Sequence, residues 1–222
     1  MNHRLRIKVC GVTTIEDART AALLGADAVG LNFWEGSKRH ITPVTAQAIL
    51  RELPPFVEPV ALYVNQPLRG VFQALNALGR IRTFQWYGTQ RELCDAYPFQ
   101  MIMAFPVRDA KGLAEITRYL DTARGMGKAP SAILVDAHVP GQPGGTGQRA
   151  PWHLLAEFKP PEPLILAGGL TPANVAQAIR LVRPYAVDVA SGVESAPGRK
   201  DPELMRRFIA NAHEAAEKLT RL

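Results

Sequence analysis

The sequence has few cysteines and no long apolar run, and each of these absences excludes a class of protein. The only two cysteines among the 222 residues, Cys10 and Cys94, are too few for a disulfide framework and fit a reducing compartment. No apolar stretch approaches the roughly 18 residues that span a bilayer. The first residues also lack the apolar segment and small-residue cleavage site of a signal peptide. We therefore expect a cytoplasmic protein without a membrane segment.

The basic residues are in excess but are not clustered. Lysine and arginine number 26 against 20 acidic residues, which gives a net charge of +6. The densest basic groups, Arg199-Lys200 and Arg206-Arg207, are short and have no aromatic residues among them, whereas a nucleic-acid surface needs a clustered footprint with stacking side chains. The five histidines show no metal-binding spacing. A negatively charged metabolite is therefore favoured as the ligand, with no nucleic acid, membrane or metal.

Short apolar runs alternate with longer amphipathic runs along the whole chain. The chain is 47% hydrophobic and 21% charged, which is ordinary globular composition. Eight apolar runs are predicted strands, at residues 5–10, 28–33, 57–64, 81–86, 101–105, 132–136, 164–167 and 186–189. Apolar strands that are each followed by a helix indicate a parallel sheet covered on both faces. Eight such units over residues 1–222 predict an α/β fold, a single-domain (β/α)8 TIM barrel. An open doubly wound sheet is disfavoured, because no G-x-G-x-x-G loop follows the first strand.

Capping residues predict where several helices begin. Thr13, with Glu16 three residues later, predicts a capping box for the first helix. A cap residue followed by proline predicts three further helix starts, at Thr42-Pro43, Thr171-Pro172 and Asp201-Pro202. A short helix at residues 90–97 and a glycine- and proline-rich loop at residues 139–147 complete the pattern. Functional residues of a TIM barrel belong at the carboxyl ends of its strands.

Glycine pairs follow the last two predicted strands. Gly168-Gly169 ends the seventh strand, and Ser191-Gly192 follows the eighth. Such loops let backbone N–H groups approach an anion, and TIM barrels frequently bind phosphate at these two loops. Tight turns without a ligand are the alternative, but the paired occurrence favours a phosphate site.

Two ionisable residues end predicted strands. Cys10 ends the first strand, and a thiol with a pKa of about 8.5 needs only modest help to act as a base. Asp136 ends the sixth strand after three apolar residues, where its carboxylate would be costly unless it faced the polar mouth of the barrel. The alternatives are an inert buried cysteine and a loop-holding aspartate. Cys94 lies in a helical stretch and is interpreted as structural.

Four groups of motifs, spread from the first strand to the last loop, together form a specific combination. They are KVCGVT at 8–13; GADAVGLNF at 25–33 with SKR at 37–39; LVD at 134–136 with GGTG at 144–147; and AGGLTPANV at 167–175 with VDVASGVE at 187–194. In this order they resemble the phosphoribosylanthranilate isomerase family, the (β/α)8 isomerases of tryptophan biosynthesis.

The resemblance implies an Amadori rearrangement of N-(5-phosphoribosyl)anthranilate to 1-(2-carboxyphenylamino)-1-deoxyribulose 5-phosphate. It implies Cys10 as the general base, Asp136 as the general acid and Arg39 as the partner of the anthranilate carboxylate. The further substrate-binding residues that it implies are Gln85, Gly168, Gly169, Asp188, Ser191 and Gly192. No cofactor or metal is implied, and the protein would be a monomer or homodimer. The alternative is a diverged barrel that binds a sugar phosphate without this turnover, or that isomerises a related phosphosugar.

The sequence departs from the family pattern at the mouth of the barrel. The family's usual Val-Gln-Leu-His-Gly after strand four reads FQWYG at 84–88, with Tyr87 in place of the histidine. Strand five usually carries a lysine, where this chain has Ile102, Met103 and Ala104. The loop QRAPW at 148–152 lacks the usual Phe-Asp before its tryptophan. These differences leave the proposed acid and base in place.

Overall fold

The computed structural model of the protein describes residues 4–88, 98–136 and 152–220. The predicted helix at residues 90–97 with Cys94, and the predicted loop at residues 139–147, lie outside the described residues. Among the residues that are described, no helix is both long enough and apolar enough to cross a membrane.

Eight parallel strands close into a barrel in chain order, and β8 pairs with β1. The strands are β1 Arg6–Cys10, β2 Ala28–Asn32, β3 Glu58–Val64, β4 Thr83–Tyr87, β5 Gln100–Pro106, β6 Ala132–Asp136, β7 Leu164–Ala167 and β8 Ala186–Val189. Closure confirms the predicted (β/α)8 fold, because an open sheet would leave two strand edges unpaired.

Helices follow most of the strands and cover the outside of the barrel. They are α1 Ile15–Leu23, α2 Pro43–Glu52, α3 Leu68–Leu78, α4 Ala110–Gly125, α5 Trp152–Glu157, α6 Val175–Val182 and α7 Pro202–Thr220. A 3₁₀ turn at Ser191–Val193 follows β8 and leads into an antiparallel hairpin of β9 Glu194–Ala196 and β10 Arg199–Lys200. This hairpin was not among the elements predicted from the sequence.

The strands separate two apolar cores, because successive side chains of a strand point to opposite faces. The larger core lies between the strands and the helices. The barrel interior holds a smaller cluster made mostly of alanine and branched aliphatic residues: Val60, Ile102, Ala104, Ala132, Leu134, Ile165, Ala167 and Ala186. Polar side chains continue the same inward-facing rows toward the carboxyl ends of the strands, for example Asp188 two residues after Ala186.

The predicted cap of α1 is wrong by one residue. The helix begins at Ile15, and the Thr14 hydroxyl accepts a hydrogen bond of 3.0 Å from the Asp17 backbone N–H. The Thr13 hydroxyl instead donates to the carbonyl oxygen of Gly198 at 2.6 Å. Two adjacent threonines suit an N-cap equally well in sequence, and a partner far along the chain decides between them.

The predicted start of α6 is also wrong, whereas two other starts are confirmed. Thr171 begins a turn, and the helix starts only at Val175 because the Asn174 side chain accepts a hydrogen bond of 2.8 Å from the Thr171 N–H. Thr42 caps α2, which begins at the following proline. The Asp201 carboxylate accepts hydrogen bonds from two backbone N–H groups in the first turn of α7.

Candidate active site

A layer of polar side chains lies inside the barrel, below the carboxyl ends of the strands. Lys8 of β1, Gln85 of β4 and Asp188 of β8 are all buried. The Lys8 Nζ atom lies 2.9 Å from Gln85 Oε1 and 2.9 Å from Asp188 Oδ1. The Lys8 side chain therefore reaches across the barrel interior and links β1 and β8 to β4 on the other side. Burial is the largest single influence and would lower the pKa of Lys8, but Asp188 and Cys10 together outweigh it and the pKa is raised. Lys8 is therefore a cation.

Two predicted substrate-binding residues, Gln85 and Asp188, belong to this buried layer. Both accept hydrogen bonds from Lys8, and both are buried. Direct contact of these two residues with substrate stays a prediction. Lys8 was not predicted from the sequence as a functional residue, although its position two residues before Cys10 places both on one face of the strand.

Cys10 lies at the inner face of β1 and is 6% exposed. Burial raises the pKa of its thiol above the ordinary value, and the Asp188 carboxylate acts in the same direction. The ammonium groups of Lys8 and Lys200 oppose this rise. Cys10 is paired with Gly30 of the neighbouring strand β2. A Cβ atom at position 30 would lie 2.6 Å from the Cys10 sulfur, so only glycine leaves room for the thiol.

Asp136 ends β6 and is half-buried, with Tyr87 as a hydrogen-bond partner. The Tyr87 hydroxyl donates to Asp136 Oδ2 at 3.3 Å. Strand β4 runs one residue beyond its predicted end, and this extension turns Tyr87 into the barrel. Burial, and secondarily the Asp136 charge, hold the pKa of Tyr87 well above its ordinary value, so the phenol stays a neutral donor. The residue that departs from the family's histidine thus contacts the predicted acid.

Arg39, on the loop after β2, is held by a carboxylate. Its Nε and Nη2 atoms donate to Glu194 Oε1 at 2.7 Å and Oε2 at 2.6 Å. Its side chain is 25% exposed and packs against Gly11, where a Cβ atom would overlap it. A guanidinium has five N–H donors in a planar fork, so donors remain for a second carboxylate. The neighbouring Lys38 is exposed.

Lys200 of the β9–β10 hairpin is a buried cation, although in the sequence it stands out only as part of the short basic group Arg199-Lys200. Its Nζ donates to Glu194 Oε1 at 2.9 Å, to the Cys10 carbonyl oxygen at 2.5 Å and to the Ala190 carbonyl oxygen at 3.1 Å. Burial lowers the pKa of Lys200 overall, although the Glu194 carboxylate opposes that change. The side chain ties the loop after β1 to the loop after β8.

Gly168 and Gly169 adopt left-handed backbone conformations at the end of β7. Their φ angles are 87° and 63°, which side-chain-bearing residues rarely adopt. Gly169 is exposed, and the Asn174 side chain donates to its carbonyl oxygen at 2.9 Å. The turn therefore fixes the direction of the backbone at this loop.

The loop after β8 lies against the loop after β7. A Cβ atom at Gly192 would overlap the carbonyl oxygen of Leu170, so only glycine allows this approach. Ser191, the first residue of the 3₁₀ turn, is exposed. The two predicted phosphate loops thus meet, and Gly192 is needed for their contact.

Within residues 4–88, 98–136 and 152–220, no group of three or more histidine, cysteine, aspartate or glutamate side chains could hold a metal ion.

Comparison with known protein families identifies the relatives of this chain. The family model described as N-(5'phosphoribosyl)anthranilate (PRA) isomerase matches residues 7–211. The chain belongs to this isomerase family.

Similar isomerases cover nearly the whole chain. N-(5'-phosphoribosyl)anthranilate isomerase of Citrifermentans bemidjiense is 45% identical over 212 residues, which are 95% of this chain and 98% of the relative. The crystal structure of phosphoribosyl anthranilate isomerase from Thermotoga maritima has a TM-score of 0.84 at 36% identity, over 95% of this chain and 99% of that one. An isomerase of the family crystallised with reduced 1-(o-carboxyphenylamino)-1-deoxyribulose 5-phosphate has a TM-score of 0.78 at 34% identity, with the same coverage.

Proposed function

We propose that this isomerase converts N-(5-phosphoribosyl)anthranilate to 1-(2-carboxyphenylamino)-1-deoxyribulose 5-phosphate, with Cys10 as the general base and Asp136 as the general acid. Family membership over most of the chain supports the assignment of this reaction. One structural observation supports the two roles: both residues end inward-facing rows at the carboxyl edge of the barrel, on β1 and β6. Substrate bound at the mouth of the barrel would lie between them.

The reaction needs one proton delivered and one removed. Asp136 gives a proton to the furanose ring oxygen, so that the ring opens to an iminium with a free hydroxyl. The Cys10 thiolate then takes the C2 proton, and the resulting enolamine tautomerises to the ketone. The Tyr87 hydroxyl favours the carboxylate that Asp136 becomes after its proton has left, because a donor to the charged form stabilises it.

The two ends of the substrate have separate partners in this proposal. The phosphate binds at the loops of Gly168-Gly169 and Ser191-Gly192, which meet beside the N-terminal side of the hairpin. The anthranilate carboxylate binds Arg39, which Glu194 orients through two hydrogen bonds. The ligand is thus a small phosphorylated molecule, and the enzyme works in the cytoplasm, where this biosynthesis belongs.

A direct assay tests the proposed activity. Purified enzyme is given freshly prepared phosphoribosylanthranilate, and the loss of anthranilate-type fluorescence reports its conversion. We expect turnover of this substrate without added metal or cofactor. Saturable binding of the substrate without conversion would instead support a barrel that only binds a sugar phosphate.

Replacing Arg39 with alanine should weaken substrate binding more than it slows the chemical step. A charge-assisted pair is worth about 1.5–3 kcal/mol, so KM should rise by roughly tenfold or more. Steady-state kinetics measure the change. Lys38→Ala is the matched control, since it removes an exposed neighbouring charge of the same sign and should leave KM nearly unchanged. Equal effects of the two substitutions would mean that the loop supplies only general charge.

Replacing Gly169 with valine should raise KM strongly. No atom lies within 4 Å of a Cβ at this position, so the variant should fold, but φ at +63° is strained for valine and the branched side chain shields the neighbouring N–H groups. Inorganic phosphate and sulfate should compete with substrate in the wild-type enzyme and much less in the variant. An unchanged KM would refute phosphate binding at this loop.

A further inference from the structure

We infer that Lys8 is a positioning residue for the reaction, which stabilises the thiolate of Cys10 from within the barrel while Asp188 limits its effect. This inference rests on the proposed role of Cys10 as the base. It assigns a function to a buried cation that the proposed mechanism otherwise leaves unused.

The position of Lys8 places a fixed cation on the face of β1 that carries Cys10. Two of the three N–H donors of the ammonium point to Gln85 and Asp188, each at 2.9 Å. Cys10 lies two residues further along β1 on the same inner face, so the buried ammonium acts on the thiol through its charge. Because two fixed partners hold the ammonium group, this charge stays in place without a further cost in side-chain freedom.

Charged and titratable groups face Cys10 from five elements. They are Lys8 of β1, Asp188 of β8, Lys200 of β10, Arg39 of the loop after β2, and Tyr87 of β4. Of the two lysines, Lys200 acts on the thiol through its charge, with its hydrogen bonds spent on carbonyl oxygens and Glu194. Lys8 lies on the same strand face as Cys10, and its charge opposes the rise in the thiol pKa more strongly than that of Lys200 does.

The thiolate needs this support because two features of the site oppose it. Burial disfavours the ionised thiol, and Asp188 places a second negative charge near it. Without Lys8, the Cys10 thiolate would face the unpaired carboxylate of Asp188 in the barrel interior. The Lys8–Asp188 pair therefore sets how readily Cys10 ionises.

The test compares two variants that both lack the buried carboxylate: Asp188→Asn, and Lys8→Met/Asp188→Asn. Both avoid leaving Asp188 unpaired in the core, which could unfold Lys8→Met alone. The ultraviolet absorbance of the thiolate is titrated in each variant, and the same curve from its Cys10→Ser counterpart is subtracted. The subtraction isolates Cys10 from Cys94 and the tyrosines. Lys38→Met, which removes an exposed lysine, is the matched control.

We expect Asp188→Asn to lower the pKa of the Cys10 thiol for two reasons. The substitution removes the negative charge of Asp188 near the thiolate, and it leaves the Lys8 ammonium without its counter-ion. Adding Lys8→Met should raise the pKa again by at least about one unit, which is about tenfold less thiolate at a fixed pH below the pKa. Lys38→Met should titrate like the wild type. Identical titrations of the two Asp188→Asn variants would overturn the inference and leave Lys8 a structural residue.

The role of Cys10 as the base is tested by a different measurement. The pH profile of kcat in the same variants should move in the direction of the thiol titration. A titration that shifts while the kcat profile does not would confirm the effect of Lys8 on the thiol but refute Cys10 as the base, and with it the role of Lys8 in the reaction. The two failures are therefore distinguishable.

Discussion

Replacing Cys10 with serine should lower kcat by about 10²–10⁴-fold, the usual effect of removing a positioned base. Serine has nearly the same shape and fits the space that Gly30 leaves, but its hydroxyl does not ionise in the accessible pH range. Circular dichroism should therefore be unchanged, and the product should still bind. Steady-state kinetics with the substrate give the size of the loss.

The pH dependence of the wild-type enzyme follows from the same thiol. Only the thiolate can take the C2 proton, and its fraction grows as the pH rises. Burial raises the pKa of Cys10 in spite of Lys8 and Lys200, so kcat should keep rising with pH beyond the ordinary range of a thiol. Cys94→Ser should behave like the wild type. Wild-type turnover in Cys10→Ser would mean that another residue is the base.

Replacing Asp136 with asparagine should also lower kcat by about 10²–10⁴-fold. The amide keeps the shape of the side chain and can still accept a hydrogen bond from Tyr87, but it cannot deliver a carboxylic proton to the ring oxygen. The variant should fold and bind product as the wild type does. Rates measured before product accumulates separate this loss from a change in affinity.

Tyr87→Phe is the matched control for the acid, because it removes only the hydrogen bond to Asp136. A lost hydrogen bond to a charged group corresponds to about 1.5–3 kcal/mol, so its effect on kcat should be clearly smaller than that of Asp136→Asn. If Asp136→Asn retained most of its activity while Tyr87→Phe lost it, the phenol would be the proton donor.

The sequence was sufficient to predict the barrel because its signals are local and repeated. Strands β6, β7 and β8 begin and end where their apolar runs do. Errors arose where a local signal had two solutions, as with Thr13 and Thr14 at the start of α1. The Thr13 hydroxyl contacts Gly198, which lies 185 residues away in sequence, and no local pattern contains that information.

The candidate site was only partly predictable for the same reason. Cys10 and Asp136 could be proposed because the fold places strand ends at the functional face. The partners that tune or orient such residues were missed: Lys8, Glu194 and Lys200 acquire their roles only when distant strands meet. Tyr87 was recognised as a departure from the family pattern, but its contact with Asp136 depends on the register of β4.

The pairing of β1 with β8 brings together residues that are far apart in the sequence, so each part depends on the other for its structure. Lys8 pairs with a residue 180 positions later, and the Cys10 carbonyl accepts its hydrogen bond from a residue 190 positions later. During synthesis Cys10 leaves the ribosome 190 residues before Lys200 does. A nascent chain thus carries an ordinary cysteine until β8 and the β9–β10 hairpin have been made, and the chemical environment of the Cys10 thiol arises only when these elements close against β1.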